Sequence, residues 1–146
     1  MVFGNIGLLD LLELALSKHT IIDRSVLVSS VLPQMMTMVK GTVFETRDNG
    51  MDGELIIAYK DKAYAITANF NVMTIDNEYT MGSGSYTSFG SLYTTRYTEF
   101  KPETRVVLAI EAASARCTSV SNEVYVGDTN GKEFEKYHTT LKNRQR

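Results

Sequence analysis

Residues 54–95, ELIIAYKDKAYAITANFNVMTIDNEYTMGSGSYTSFGSLYTT, carry the pattern that decides the fold. Three runs, ELIIAYK, AYAIT and NFNVMTI, are rich in aliphatic, aromatic and β-branched residues and are separated by polar breaks, so they predict strands. The first two flank a turn at Asp61-Lys62 and predict a hairpin. YTMGSG predicts a further short strand ending in glycines. Phe89 and Leu92 then fall at helical spacing, which predicts a helix over residues 85–97.

Two helical segments precede these strands. Residues 5–17 have one apolar helical face and begin at Asn5, the predicted N-cap, with no strand ahead of them. Residues 22–40 predict a second helix, which Asp23 caps and which ends before a glycine at position 41. Pro33 lies inside this helix and predicts a kink or a break, because proline lacks a backbone donor and clashes with the preceding turn.

One helix and two strands are predicted after residue 100. Pro102 stands near the start of a strong helix that runs to residue 117. Residues 123–127 and 133–139 predict strands joined by a turn at Asn130-Gly131. Runs of helices that alternate with runs of strands predict an α+β domain rather than a doubly wound one. We expect one domain over residues 1–138 and a disordered basic tail over residues 139–146.

The composition argues against several classes of function. A formal net charge of −2, from 15 basic and 17 acidic residues, argues against a nucleic-acid partner. No apolar run reaches the roughly 18 residues that span a bilayer, so we expect no membrane partner. The single cysteine, Cys117, cannot form an internal disulfide, which favours a reducing compartment and predicts a cytoplasmic protein. His19 and His138 lack the spacing of a transition-metal site.

The strand, the Gly-Ser-Gly turn at residues 82–84 and the helix of small and aromatic residues resemble the second half of proteasome β-type subunits. They also resemble the bacterial proteasome-like peptidase that works with an ATP-dependent unfoldase. The later helix and the strand after Ser121 follow in the order of that family, and the opening FGNIGLLDLLELAL resembles its first helix. The resemblance implies an N-terminal-nucleophile hydrolase, which is a four-layer αββα sandwich, here incomplete at the N-terminus.

The family's chemistry requires an N-terminal threonine. Its hydroxyl is the nucleophile and its free α-amine is the base, with an unperturbed pKa near 8. In the family two strands that carry the threonine, an acidic residue and a lysine precede the first helix, whereas this chain starts Met1-Val2. We therefore expect the chain as written to lack the nucleophile and to be inactive, as a fragment, a mis-started reading frame or a pseudoenzyme.

The resemblance also assigns supporting residues. Ser83 matches the serine that orients the N-terminal amine, with Gly82 and Gly84 shaping its turn, and Ser121 matches a second hydroxyl near that amine. The acidic partner found in many relatives would fall near Thr118, where this chain has no carboxylate.

A cation is the one possible cofactor that the resemblance implies. Backbone carbonyls of Ser114, Cys117 and Ser121 match a loop that holds a cation in some relatives, and carbonyl oxygens suit Na⁺, Mg²⁺ or Ca²⁺. No other cofactor is required.

Plainer interpretations of these residues stay open. Ser83 can be a polar residue in a tight turn, Ser121 a helix-terminal polar residue, and the cation loop an ordinary helix end. Cys117 lies on an apolar-faced helix, which predicts a buried and inert thiol.

Three functions follow from the pattern. The resemblance implies a ring of identical subunits that degrades unfolded polypeptide delivered by an ATP-driven partner. The first alternative is a non-catalytic structural or regulatory subunit of the same fold. The second is an unrelated small α+β binding protein, which would require the hairpin and the later helices to pack in another topology.

Overall fold

The computed structural model describes residues 2–121, 123–129 and 135–138. The chain divides into two compact units, one ending at Asp76 and the other beginning at Asn77. The predicted turn at Asn130-Gly131 and the predicted tail over residues 139–146 lie outside the described residues. One domain over residues 1–138 stays a prediction.

The first unit consists of a four-stranded antiparallel sheet and a set of helices. The strands lie side by side in chain order, and a π-helical turn lies between two of the helical segments. The strands are β1 (Val2–Gly4), β2 (Leu55–Tyr59), β3 (Lys62–Ile66) and β4 (Val72–Thr74). The helical segments are α1 (Ile6–Leu16), α2 (Arg24–Val26), the π turn (Leu27–Val31) and α3 (Leu32–Val39).

The core of this unit lies between one face of the sheet and the helices. Leu55 pairs with Ile66 and Ile57 with Tyr64 across the β2–β3 hairpin, and these four side chains are buried. Alternate residues of a strand point to one face, so this face meets the apolar helical stripes. The buried helical side chains include Leu8, Leu12, Leu27, Val31, Met35 and Val39.

Both predicted helix caps of this unit are confirmed. The Asn5 side chain accepts a hydrogen bond from Gly7 N at 3.1 Å. The Asp23 carboxylate accepts one from Val26 N at 2.8 Å. Gly41 follows the end of α3 with φ of 75°, a conformation that glycine adopts without a Cβ penalty.

Two sequence predictions in or next to this unit are wrong. A strand, β1, does precede the first helix, because Val2–Gly4 pairs antiparallel with β2. At Pro33 the predicted second helix is divided into α2, the π turn and α3, with the π turn directly before the start of α3. The π turn widens the helix just before it, with Leu32 N bonded to Leu27 O, and the backbone stays in the α region. No strand forms at YTMGSG: residues 79–81 lie in an irregular segment, where Thr80 Oγ1 donates a hydrogen bond to Ser85 O.

The second unit places two helices beside a two-stranded ribbon. It contains α4 (Ser85–Thr94), α5 (Pro102–Ser114), β5 (Glu123–Val126) and β6 (Glu135–His138), with β5 and β6 antiparallel. Ser88 Oγ on α4 donates to Ala109 O on α5 at 3.3 Å, and both residues are buried. Each helix ends three residues before its predicted limit.

Candidate active site

The Gly-Ser-Gly turn is built by its two glycines. Gly82 has φ of 87°, a conformation that L side chains rarely adopt. Gly84 is buried, and a Cβ there would lie 2.8 Å from both Ala113 Cβ and Val120 Cγ2. Only glycine therefore lets the turn approach the end of α5, and Ser83 is held between these two positions at the start of α4.

The structure brings three polar side chains together at this turn. Ser83 Oγ and Ser119 Oγ are 2.8 Å apart, and Ser119 Oγ is 3.1 Å from Cys117 Sγ. A β-turn closed by Val120 N and Cys117 O, at 3.2 Å, carries Ser119 toward the Gly-Ser-Gly turn. The result is a hydroxyl–hydroxyl–thiol cluster at the junction of α4 and α5.

The prediction of a buried thiol at Cys117 is wrong. The residue is half-buried, because the helix ends at Ser114 and leaves Cys117 in the following turn. Hydrogen bonds from Ser119, which has the larger effect, and from Ser83 lower the pKa of the Cys117 thiol. The cause is that a thiolate accepts a hydrogen bond from a hydroxyl better than a thiol does.

Sequence reasoning missed two parts of the site. It did not assign Ser119, although the run Cys117-Thr118-Ser119 follows directly after a helix, where short polar side chains commonly bond locally. It also missed Glu78, whose carboxylate pairs with Arg96 on the segment after α4 and with Arg105 on α5. Nothing in the local pattern singles out these charges, since their partners lie 18 and 27 residues away.

Two ion pairs of Glu78 hold the segment that leads into the Gly-Ser-Gly turn. Arg105 Nη2 also donates a hydrogen bond to Leu92 O at 2.8 Å, so the two guanidinium groups connect α4, α5 and the irregular segment before Gly82. Hydrogen bonds from Arg96 and then Arg105 lower the pKa of Glu78 from 4.5 to about 2. This carboxylate is therefore ionised throughout the physiological range.

Comparisons with known proteins bear on the fold rather than on the sequence. No protein-family model matches the chain. No curated protein matches its sequence. Among solved structures, the bacterial proteasome homologue BPH of Thiobacillus denitrificans superposes with a TM-score of 0.63 at 16% identity, over 96% of this chain and 73% of that chain. The same protein in complex with epoxomicin gives a TM-score of 0.61 at 16% identity, over 97% of this chain and 74% of that chain. Eukaryotic HslV from Trypanosoma brucei gives 0.59 at 13% identity, over 82% of this chain and 70% of that one.

This chain has a proteasome-like fold. The predicted α+β class and the predicted similarity to proteasome-like structures are thereby confirmed. The alternative of an unrelated topology for the hairpin and the later helices is not supported, because the similarity extends over 96% of the chain.

The remaining site assignments of the proteasome-like fold stay predictions. Ser121 Oγ accepts a hydrogen bond from Glu123 N at 3.0 Å and so stands at the start of β5. Among the predicted cation ligands, Cys117 O accepts from Val120 N, whereas the Ser114 hydroxyl donates to Glu111 O at 3.0 Å.

The described part of the chain contains no group of three or more His, Cys, Asp or Glu side chains that could hold a metal ion. None of its helices is long and apolar enough to cross a membrane.

Proposed function

We propose that this chain is a subunit of a proteasome-like peptidase that assembles with copies of itself and takes part in the degradation of unfolded polypeptide in the cytoplasm. The observation that carries the proposal is the Ser83–Ser119 hydroxyl pair, 2.8 Å apart, on a Gly-Ser-Gly turn within the proteasome-like fold. An ATP-driven unfoldase is the proposed source of substrate. The structural similarity to the solved structures supports the fold, and the proposed activity depends on the chemistry of the residues at the turn.

The proposed chemistry assigns a supporting role to the described residues. In an N-terminal-nucleophile mechanism a threonine hydroxyl attacks the scissile carbonyl while the free α-amine takes its proton. A hydroxyl pair can accept a hydrogen bond from the resulting ammonium and donate one to water, since each hydroxyl is both donor and acceptor. Ser83 and Ser119 would hold the amine in place and pass its proton on. Ser121 is the further hydroxyl that this proposal retains near the amine.

A cation would have a structural role in this proposal. Carbonyl oxygens at the end of α5, from Ser114, Cys117 and Ser121, are hard ligands suited to Na⁺, Mg²⁺ or Ca²⁺. Such an ion would hold the loop that presents Ser119 and would take no part in bond cleavage.

A non-catalytic subunit of the same fold is the second candidate. It is favoured by the absence of any carboxylate between Ala113 and Ser121, the segment in which relatives carry the acidic partner of the amine. Such a subunit would keep the self-assembly and lose covalent chemistry.

The decisive experiment combines mass and labelling. The protein is isolated from its native source, its N-terminus and intact mass are determined, and it is treated with an epoxyketone probe such as epoxomicin. In a native protein that begins with a threonine upstream of Met1, we expect one covalent adduct on that threonine. The adduct should be lost or formed more slowly in Ser83→Ala and retained in Ser91→Ala, a control on the neighbouring helix α4. An unlabelled protein that still assembles would overturn the peptidase proposal and support the non-catalytic subunit.

A further inference from the structure

Residues 78–84 connect the Glu78 ion pairs to the Gly-Ser-Gly turn, and we call them the connecting segment. Arg96, one partner of Glu78, follows the end of α4, whereas Gly84 directly precedes the first residue of that helix. The connecting segment therefore starts beside one end of α4 and returns to the other end. α4 has 10 residues and is roughly 15 Å long at about 1.5 Å per residue. Six extended residues reach at most about 20 Å, so the connecting segment has limited slack.

The Glu78 carboxylate is the anchored end of this segment. Its two oxygens bind different guanidinium groups, Oε2 that of Arg96 and Oε1 that of Arg105, each at 2.5 Å. Arg105 is in turn tied to α4, since it also donates hydrogen bonds to Leu92 O at 2.8 Å and to Thr95 Oγ1 at 3.3 Å. The carboxylate is 12% exposed, and charge-assisted hydrogen bonds are roughly twice as strong as neutral ones. Glu78 therefore fixes the start of the connecting segment against the last turn of α4.

The packing around Gly82 does not fix its conformation. A Cβ built on Gly82 would meet no heavy atom within 4 Å, and glycine has more backbone freedom than any other residue. Two local hydrogen bonds support its φ of 87°, from Ser85 N to Gly82 O at 3.1 Å and from Thr80 Oγ1 to Ser85 O at 2.9 Å. Gly84, by contrast, is packed closely against its neighbours. The position of Ser83 therefore depends on these two bonds and on where the ends of the connecting segment are held.

We propose that Glu78 is a positioning residue, which holds Ser83 Oγ within hydrogen-bond distance of Ser119 Oγ by anchoring the connecting segment. This role rests on the proposed function, in which the two hydroxyls hold the N-terminal amine and pass on its proton. Without the carboxylate the segment loses both arginine contacts, Gly82 can rotate to other conformations, and Ser83 moves away from Ser119. The amine is then held less accurately, and a displacement of about 1 Å near a reacting group can slow a reaction about 100-fold.

The first measurement is the rate of epoxyketone labelling in protein that carries its native N-terminus. We expect Glu78→Gln to lower the maximal labelling rate at least about 10-fold and to leave the half-saturating probe concentration unchanged, because the change affects the base rather than the surface that binds the probe. Arg96→Gln keeps the Arg105 contact and should lower the rate less. Glu123→Gln is the matched control, since it removes a carboxylate from an exposed ion pair, and it should label like the wild-type protein.

A double variant separates positioning from a loss of stability. If Glu78 acts through Ser83, Glu78→Gln combined with Ser83→Ala should label no more slowly than Ser83→Ala alone, because no hydroxyl is left to displace. A general weakening of the fold would make the two losses multiply instead. Labelling of folded Glu78→Gln at the wild-type rate, or multiplied losses in the double variant, would overturn the proposed role.

Amide hydrogen exchange tests the same anchoring without catalysis. The amides of Ser85 and Ser88 donate hydrogen bonds to carbonyls of the Gly-Ser-Gly turn. In Glu78→Gln we expect these amides to exchange at least about 10-fold faster, while those of the hairpin over residues 55–66 keep their wild-type rates. An unlabelled wild-type protein would overturn the peptidase proposal, and faster exchange at the two serines would still support the anchoring role. Unchanged exchange there would overturn that role whether or not the protein is labelled.

Discussion

Replacing Glu78 with glutamine should destabilise the protein in a pH-dependent way. The Glu78 side chain is only 12% exposed and contacts Arg96 and Arg105 through N–O distances of 2.5 Å. Glutamine keeps the shape and one acceptor oxygen but removes the negative charge. Two guanidinium groups would then face each other near α4 and α5 without their counterion.

The expected loss follows from the pKa of Glu78. A pKa lowered from 4.5 to about 2 corresponds to at most about 3.4 kcal/mol, at about 1.36 kcal/mol for each pH unit. Arg96 keeps 32% of its side chain exposed, and solvent screening there reduces the figure to about 2 kcal/mol. Because the pKa is lower in the folded protein, this stabilisation is complete above pH 4.5 and is lost as the pH falls toward about 2.

Urea denaturation at a series of pH values provides the assay. We expect Glu78→Gln to lower the free energy of unfolding by about 2 kcal/mol at pH 7, with the difference from wild type shrinking below pH 4.5. Glu123→Gln is the control, because the Glu123–Lys136 pair is 49% and 40% exposed and solvent screening should leave its contribution smaller than that of Glu78. A loss of unfolding free energy in Glu78→Gln below about 0.5 kcal/mol, which is the range within which the effects of independent mutations add, would refute this reasoning. A loss that did not change with pH would refute it too.

Three further predictions concern packing and the thiol. Gly84→Ala should lower the free energy of unfolding by about 1–3 kcal/mol, because its Cβ would lie 2.8 Å from two neighbouring side chains. Gly90→Ala, in open space, should raise the free energy of unfolding by about 0.5–1 kcal/mol. Thermal denaturation measures both variants, and melting temperatures that moved in the same direction would contradict this prediction. Ser119→Ala should raise the pKa of Cys117, so the pH profile of its alkylation by iodoacetamide should move to higher pH, and an unmoved profile would contradict the assigned hydrogen bond. Leu12→Ala should cost about 2–5 kcal/mol in urea denaturation because Leu12 is fully buried, and a cost below about 1 kcal/mol would argue against the described core.

Local patterns were sufficient for most secondary structure. The apolar stripe after Asn5, the cap at Asp23 and the alternation in residues 55–66 act between neighbours a few residues apart, so they can be recognised without a structure. The Gly-Ser-Gly turn was recognisable for the same reason. Its first glycine allows a positive φ, and its second allows close approach of the backbone to its neighbours.

Predictions failed where an element depends on a distant partner. Val2–Gly4 is a strand because β2, more than fifty residues later, supplies its ladder, whereas residues 79–81 have a strand-like composition and form none. Intrinsic preference is a weak guide when tertiary pairing decides the outcome.

The sequence by itself determined the α+β class, the caps, the hairpin and the position of Ser83 within a turn that only glycines allow. Only the tertiary structure decided that Ser83 meets Ser119, 36 residues away, that Glu78 binds two arginines, and that the aromatic residues of α4 face outward. The physical reason is range. Backbone conformation and amphipathic spacing are local properties, whereas hydrogen bonds, ion pairs and exposure depend on which distant segments the fold brings together.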